Sequence, residues 1–342
     1  MSADSTPDPS VTHPVLRILH ERRVGNGKPG QRTDPHKVGL AVEGGGMRGV
    51  VSAAMLAALE EFGIADCFDA VYGASAGAIS GAYFLAGETW KSLPLYYQDL
   101  PARGLIDLKR VLRGKSILDL DLLFDDVMEH VRPLDYEKVL SGPVPLGVAV
   151  TLVDRMEPLL VTSFESKADL KEALRAGSWR PVLVRGTAEY RGQRAVDGSM
   201  LAALPYTLAV DDGCTHVLSL STFPTGGYST KPSLLGKLTA RQLDRARKGL
   251  GALYLDHARK KYDGLRWLAS QRDAPNADPP FVLDLAPASG EDTISRWETR
   301  LGPLVHAVER SYEMVYTTFR MGAGGERASV RAVPRWTVVP AD

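Results

Sequence analysis

Cysteine is almost missing from this sequence: Cys67 and Cys214 are the only two in 342 residues. Two thiols cannot build a disulfide framework, and neither lies near a His pair at finger-type spacing, so the chain reads as metal-free and from a reducing, cytoplasmic setting. An excess of either charge is missing as well. The 41 Lys and Arg residues balance 41 Asp and Glu, which leaves no global field to gather nucleic acid and makes any contact with anionic lipid local. Long apolar runs are lacking too: the longest, from Gly49 to Leu59, stops at Glu60 and Glu61, short of the ~20 residues of a membrane span. Arg17 splits the one apolar patch near the start, which argues against a secretory signal.

What is present is a rhythm of short apolar runs and helical stretches. Residues 1–36 carry Pro7, Pro9, Pro14, Pro29 and Pro35 among polar residues and read as a flexible tail. From Lys37 the order is strand, glycines, helix, twice over: Val38 to Val42 before Val50 to Leu59, then Phe68 to Tyr72 before Ala76 to Leu85. Further strands are expected at Leu146 to Leu152, Leu159 to Phe164, Ala195 and Val196, and His216 to Leu220. Such alternation predicts an α/β fold with a mainly parallel sheet between helical layers. Residues 37–222 form the expected core. The remainder, 223–342, reads as a loop at 223–230, two helices within Leu234 to Leu268, and a final helix with Leu301, Leu304, Val308 and Tyr312 on one face, packed on the core as part of the same domain.

The chemistry concentrates where strands give way to helices. Glu43-Gly44-Gly45-Gly46-Met47-Arg48-Gly49 supplies backbone amides at a helix start, an arrangement suited to a dinucleotide pyrophosphate or to the oxyanion of acyl transfer. Gly44, Gly46 and Gly49 have the spacing of a nucleotide loop, but the acidic residue expected about 20 positions later is missing. In its place stands Gly73-Ala74-Ser75-Ala76-Gly77, a G-x-S-x-G turn in which small neighbours hold the serine hydroxyl clear of the backbone. Ser75 is the expected nucleophile. Only 24 residues separate Gly49 from Gly73, one helix plus one strand, so both loops should emerge at the same edge of the sheet. The hydroxyl needs a base. Asp197, in Asp197-Gly198-Ser199 after a short strand, serves either as that base or as a helix cap. His216 opens an apolar strand and reads as structural, yet it is the histidine to suspect if Asp197 is not the base.

Taken together, Gly44-Gly45-Gly46-Met47-Arg48-Gly49, Gly73-Ala74-Ser75-Ala76-Gly77 and Asp197-Gly198 resemble the motifs of the patatin-like phospholipases, lipid acyl hydrolases with a Ser-Asp dyad. The resemblance covers roughly residues 37–222. It implies a three-layer α/β/α fold, Ser75 as nucleophile, Asp197 as base, and an oxyanion hole around Gly44, Gly45, Gly46 and Arg48, with neither metal nor cofactor. Gly49, Gly73, Gly77 and Gly198 complete the motifs. Three positions depart from the family pattern: Ser199 stands where Gly or Ala is usual, Trp179-Arg180 replaces smaller residues and is expected to reshape the acyl pocket, and Glu43 stands where Asp is common.

The expectation is therefore a serine-dependent hydrolase of lipid esters, of phospholipase A or lysophospholipase type, releasing fatty acid from an acyl-enzyme on Ser75. Its rivals are an acyltransferase on the same scaffold and a non-hydrolytic nucleotide- or lipid-binding protein. The basic run Lys237, Arg241, Arg245, Arg247, Lys248, Arg259, Lys260 and Lys261 is either a solvated helix face or a peripheral contact with anionic headgroups.

Overall fold

The computed structural model describes residues 13–25, 27–224, 232–288 and 293–322. Its frame is a mixed sheet of eight strands: β1 (Val38–Val42), β2 (Ala70–Ala74), β3 (Leu146–Leu152), β4 (Glu157–Val161), β5 (Ala188–Tyr190), β6 (Gln193–Asp197), β7 (His216–Leu220) and β8 (Phe281–Leu285). Five run parallel in the order β8-β7-β1-β2-β3, while β4, β5 and β6 are antiparallel additions.

Alternating side chains split the frame into two packed faces, as the two-residue period of a strand requires. Leu40, Val42, Val71, Val148, Leu218 and Leu283 pack among side chains of helices Val50–Glu61, Ala76–Leu85 and Leu301–Gly322. On the other face Ala41, Tyr72, Ala149, Val217 and Val282 meet helices Pro205–Asp211 and Leu250–Asp273. Strands covered on both sides read as unbroken apolar runs, which is why β1, β3 and β7 were legible to the residue.

Along β3 the pairing has a consequence for the site. β4 pairs with Val148 to Leu152, β2 with Leu146 to Ala149, and β6 with Val150 to Leu152. A residue has only one ladder partner per edge, so β2 and β6 share the edge opposite β4. β2 leaves that edge at Ala149, and β6 takes it up at Val150. The carboxyl ends of β2 and β6 therefore meet, with Ala74 and Asp197 opposite consecutive residues of β3.

Two features depart from the sequence reading. Within the segment read as a flexible tail, Pro14–Val24 is a helix with Val15, Ile18 and Leu19 buried. Its Arg22 is also buried and binds Asp34, Asp69 and the carbonyls of Cys67 and His36. Proline at the first helical position is compatible with a helix start, and the ion-pair network outweighs the disorder-prone composition; residues 1–12 lie outside the described ones. The second departure is β8, which extends the sheet beyond β7 from the part after residue 222, where no strand was expected. Helices Leu234–Ala246 and Leu250–Asp273 match the expected pair, while most of the expected 223–230 loop lies outside the described residues.

Candidate active site

Ser75 sits between β2 and helix Ala76–Leu85 with φ 56° and ψ −132°, a conformation that costs a non-glycine residue about 1–3 kcal/mol. The turn survives because its surroundings are locked backbone to backbone. A Cβ on Gly44 would fall 2.4 Å from the carbonyl oxygen of Ala74, and one on Gly77 would fall 2.2 Å from that of Val42. The glycine loop after β1 and the turn after β2 thus interlock only without side chains. The loop itself uses φ 148° at Gly45 and φ 61° at Gly46, angles open to glycine. Among the described residues nothing accepts a hydrogen bond from the amides of Gly44, Gly45 and Gly46, whereas the next amide, of Met47, donates to the Arg296 carbonyl at 3.2 Å.

Asp197 ends β6 fully buried, and Gly198 lets it approach: a Cβ there would meet the Ala149 carbonyl oxygen at 2.2 Å. Its two oxygens are divided in their work. Oδ1 accepts from the Ser199 amide at 2.8 Å, the capping role considered from sequence. Oδ2 has no hydrogen-bond partner among the described residues, and its nearest cation, Nη1 of Arg180, stands 3.7 Å away and donates instead to Ser199 Oγ at 3.2 Å. Ser75 follows Ala74, whose place on β3 is next to that of Asp197, and the two side chains are not hydrogen-bonded to each other.

Glu43 anchors the loop. Its Oε2 accepts from the Thr222 amide at 2.7 Å and hydroxyl at 3.0 Å, and its Oε1 from Lys261 Nζ at 2.6 Å. Burial alone would raise the Glu43 pKa, but the Lys261 ammonium and Arg48 guanidinium hold it at about 2. Thr222 Oγ1 also donates to the Gly44 carbonyl at 2.9 Å and accepts from Arg48 Nε at 3.2 Å. The Arg48 guanidinium lies over the Phe223 ring, 4.9 Å from its centre.

Beside these groups lies a cavity of about 460 Å³, whose lining includes Ser199 but not Asp197, within the usual size of a small-molecule site. Ser75, Gly44, Gly45, Gly46 and Arg48 line it together with apolar Ile106, Leu118, Leu183, Met200 and Leu255. Among the described residues four cations, Arg48, Arg180, Lys261 and Arg296, face one lining carboxylate, Glu43. Burial, and then the charge of Arg296, lower the Arg180 pKa. Of the departures from the family pattern, Arg180 enters the cavity wall while Trp179 acts through its carbonyl, which accepts from the Asp197 amide at 2.9 Å.

Some residues were misread or missed from sequence. Lys261, grouped with a basic helix face, turns inward to Glu43. Thr222 and Arg296 carried no motif; the available signal for Thr222 was its place just past β7, at the strand edge that carries the glycine loop. His216 stands opposite Val38 at the other end of the sheet, and no histidine lines the cavity among the described residues. Burial first, and then His36 and Arg22, push its pKa down to about 4. The described residues contain no cluster of metal-ligating side chains and no helix long and apolar enough to cross a membrane.

The chain is 24% identical over 209 residues to the uncharacterized protein YjjU of Escherichia coli (strain K12), an alignment covering 57% of this chain and 55% of that one, so the chain spans about half the length of this curated relative. Among solved structures, VipD from Legionella pneumophila aligns at 14% identity and a TM-score of 0.44 over 85% of this chain and 67% of the other. A family model described as patatin-like phospholipase matches residues 40–210, from β1 to the helix that follows Asp197. With that match spanning half of its residues, the chain belongs to the patatin-like phospholipase family.

Proposed function

We propose that this chain is a serine-dependent acyl hydrolase of lipid esters, of phospholipase A or lysophospholipase type. The observation that carries the reading is the meeting of the β2 and β6 ends on one edge of β3, with Ser75 and uncommitted glycine amides lining one cavity beside it. In the first step Ser75 Oγ attacks the ester carbonyl carbon while its proton passes to Asp197 Oδ2. The carbonyl oxygen, now an oxyanion, receives the amides around Gly44, Gly45 and Gly46, with the Arg48 charge nearby. A donor set of this kind contributes about 10²- to 10³-fold in rate per donor. As the tetrahedral intermediate collapses, the C–O bond to the alcohol breaks and Asp197 returns the proton to the leaving oxygen. Water then attacks the acyl-enzyme, Asp197 takes its proton and hands it to Ser75, and the fatty acid departs.

The wall composition supports the substrate class. Apolar side chains suit an acyl chain, and the excess of cations at Arg180 and Arg296 suits an ester whose other part is anionic, such as a phosphate-bearing glycerolipid. β8, contributed by residues 223–342, lies in the sheet of the 37–222 core, which supports a single catalytic domain.

Hydrolysis of short and long p-nitrophenyl esters and of a phospholipid panel tests the reading. Ser75→Ala and Asp197→Asn are each expected to lose at least 10³-fold in kcat/KM while unfolding at the wild-type temperature. Full turnover in either variant refutes the dyad. Adding glycerol or lysolipid acceptors separates transfer from hydrolysis: new acyl esters in place of fatty acid identify a transferase.

A further inference from the structure

The segment from Ile106 to Leu118 is a closed loop whose base belongs to the cavity and whose tip belongs to the surface. At the base Ile106 and Leu118 form an antiparallel bridge, the Asp107 amide donates to the Ile117 carbonyl at 3.0 Å, and the Leu118 amide donates to the Leu183 carbonyl at 3.1 Å. Ile106, Leu118 and Leu183 all line the cavity. The tip is a short 3₁₀ helix, Leu108–Arg113, started by the Asp107 side chain and ended by Gly114 at φ 69°. It buries nothing: Leu108 is 70%, Val111 55% and Leu112 89% exposed. In a 3₁₀ helix residues three apart eclipse, so Leu108 and Val111 share a side, with Leu112 adjoining.

An exposed apolar ridge that serves no packing purpose marks a contact with something else. The charge around it says what. Lys109, Arg110, Arg113 and Lys115 share the tip, and no acidic residue occurs from Leu108 to Leu118. Arg110 is paired with Asp119, while Lys109, Arg113 and Lys115 project to solvent. Arg185 adds a further cation by donating to the Gly114 carbonyl. Apolar side chains ringed by cations match the boundary between acyl chains and anionic headgroups.

A second projection carries the same chemistry. At the start of helix Leu234–Ala246, Leu234 is 76% and Leu238 46% exposed, one turn apart, with Lys237 between them. In the same turn Leu235 and Gly236 line the cavity. Both exposed ridges therefore grow from elements whose inner sides wall the site.

We propose that the Leu108–Lys115 tip, together with Leu234 and Leu238, is the surface by which this protein docks on an anionic lipid surface, seating the cavity against the membrane from which it draws its ester. The proposal rests on the lipid-ester reading of the site, but its binding step is independent of turnover.

The test uses the full chain, as wild type, as Leu108→Glu/Leu112→Glu, and as Ser75→Ala. Partitioning is measured by sedimentation with phosphatidylcholine vesicles containing or lacking phosphatidylglycerol, and turnover on the vesicle lipid and on soluble p-nitrophenyl butyrate. Wild type and Ser75→Ala should co-sediment with the anionic vesicles and at least tenfold less with pure phosphatidylcholine. The double variant should lose at least tenfold in partitioning and in vesicle turnover while keeping soluble-ester turnover. Failure of wild type to bind, or unchanged binding by the double variant, overturns the docking surface. So does a double variant that changes oligomeric state with no change in partitioning, which would make the ridge a contact between copies of the chain. If wild type binds but hydrolyses nothing, the ester reading fails and the docking surface stands on the partitioning result.

Discussion

Ser75 and Asp197 were legible as candidates because the roles proposed for them force unusual neighbours on a residue. A hydroxyl on a turn at φ 56° needs small residues on both sides, and those residues are the motif. Glu43 had no such mark, since an acid before three glycines says nothing of the lysine 218 positions away that meets it. The structure makes Glu43 a positioning residue: with Thr222 it ties the glycine loop to the end of β7. Both Glu43 and Lys261 are mostly buried, with side chains 7% and 12% exposed. Removing one partner of a buried pair leaves an uncompensated charge and costs about 3–5 kcal/mol. Glu43→Gln is therefore expected to lose about 3 kcal/mol in urea unfolding. Glu43→Gln/Lys261→Met should recover part of that loss, because the stranded ammonium is gone. A single variant within 0.5 kcal/mol of wild type would show that the pair does not hold the loop.

Elements were read from periodicity, and periodicity failed where a residue's partner lies far along the chain. β8 is a single five-residue run set among Pro279, Pro280 and Pro287, and only its pairing with β7 places it in the sheet. The Pro14–Val24 helix was obscured in the same way, because its stability comes from Arg22 reaching Asp34 and Asp69. The meeting of β2 and β6 was implied by the family resemblance and not by the residue pattern, since it depends on which edge of β3 each strand takes. That junction makes a prediction about Gly198. An added methyl would press on the Ala149 carbonyl at 2.2 Å, and the relief open to it is to move the β6 end, carrying Asp197 away from Ser75. Misplacement of a reacting group by about 1 Å can cost 10²-fold in rate. Gly198→Ala should lose at least that much in kcat. Gly302, within helix Leu301–Gly322 and with nothing near its missing Cβ, is the control: Gly302→Ala should keep full turnover. Equal activity in both variants would detach catalysis from the β6 register.

At the scale of the whole molecule the sheet carries two titrating groups that oppose each other, a balance that no net charge of zero could reveal. Asp284 on β8 is fully buried with Oδ1 accepting from Ser221 Oγ at 2.7 Å, and burial pushes its pKa up to about 6. His216 on β7 is pushed down to about 4 by burial and then by His36 and Arg22. The folded chain holds the Asp284 proton more tightly than the unfolded chain does. Its stabilising contribution is thus full below pH 3.8 and lost as pH rises through about 6. The folded chain resists protonating His216, so that contribution is present above pH 6.5 and lost as pH falls through about 4. The two slopes overlap between pH 4 and 6 and there largely cancel each other. Asp284→Asn keeps an acceptor for Ser221 and removes one slope. Measured by urea unfolding, its stability relative to wild type should rise between pH 4 and pH 8 by up to about 3 kcal/mol, and its own curve should climb across the His216 range. His216→Gln should tilt the other way, losing stability toward pH 7. Curves for the Asp284 variant and wild type that run parallel from pH 4 to pH 8 would mean that the buried carboxyl keeps an ordinary affinity for its proton.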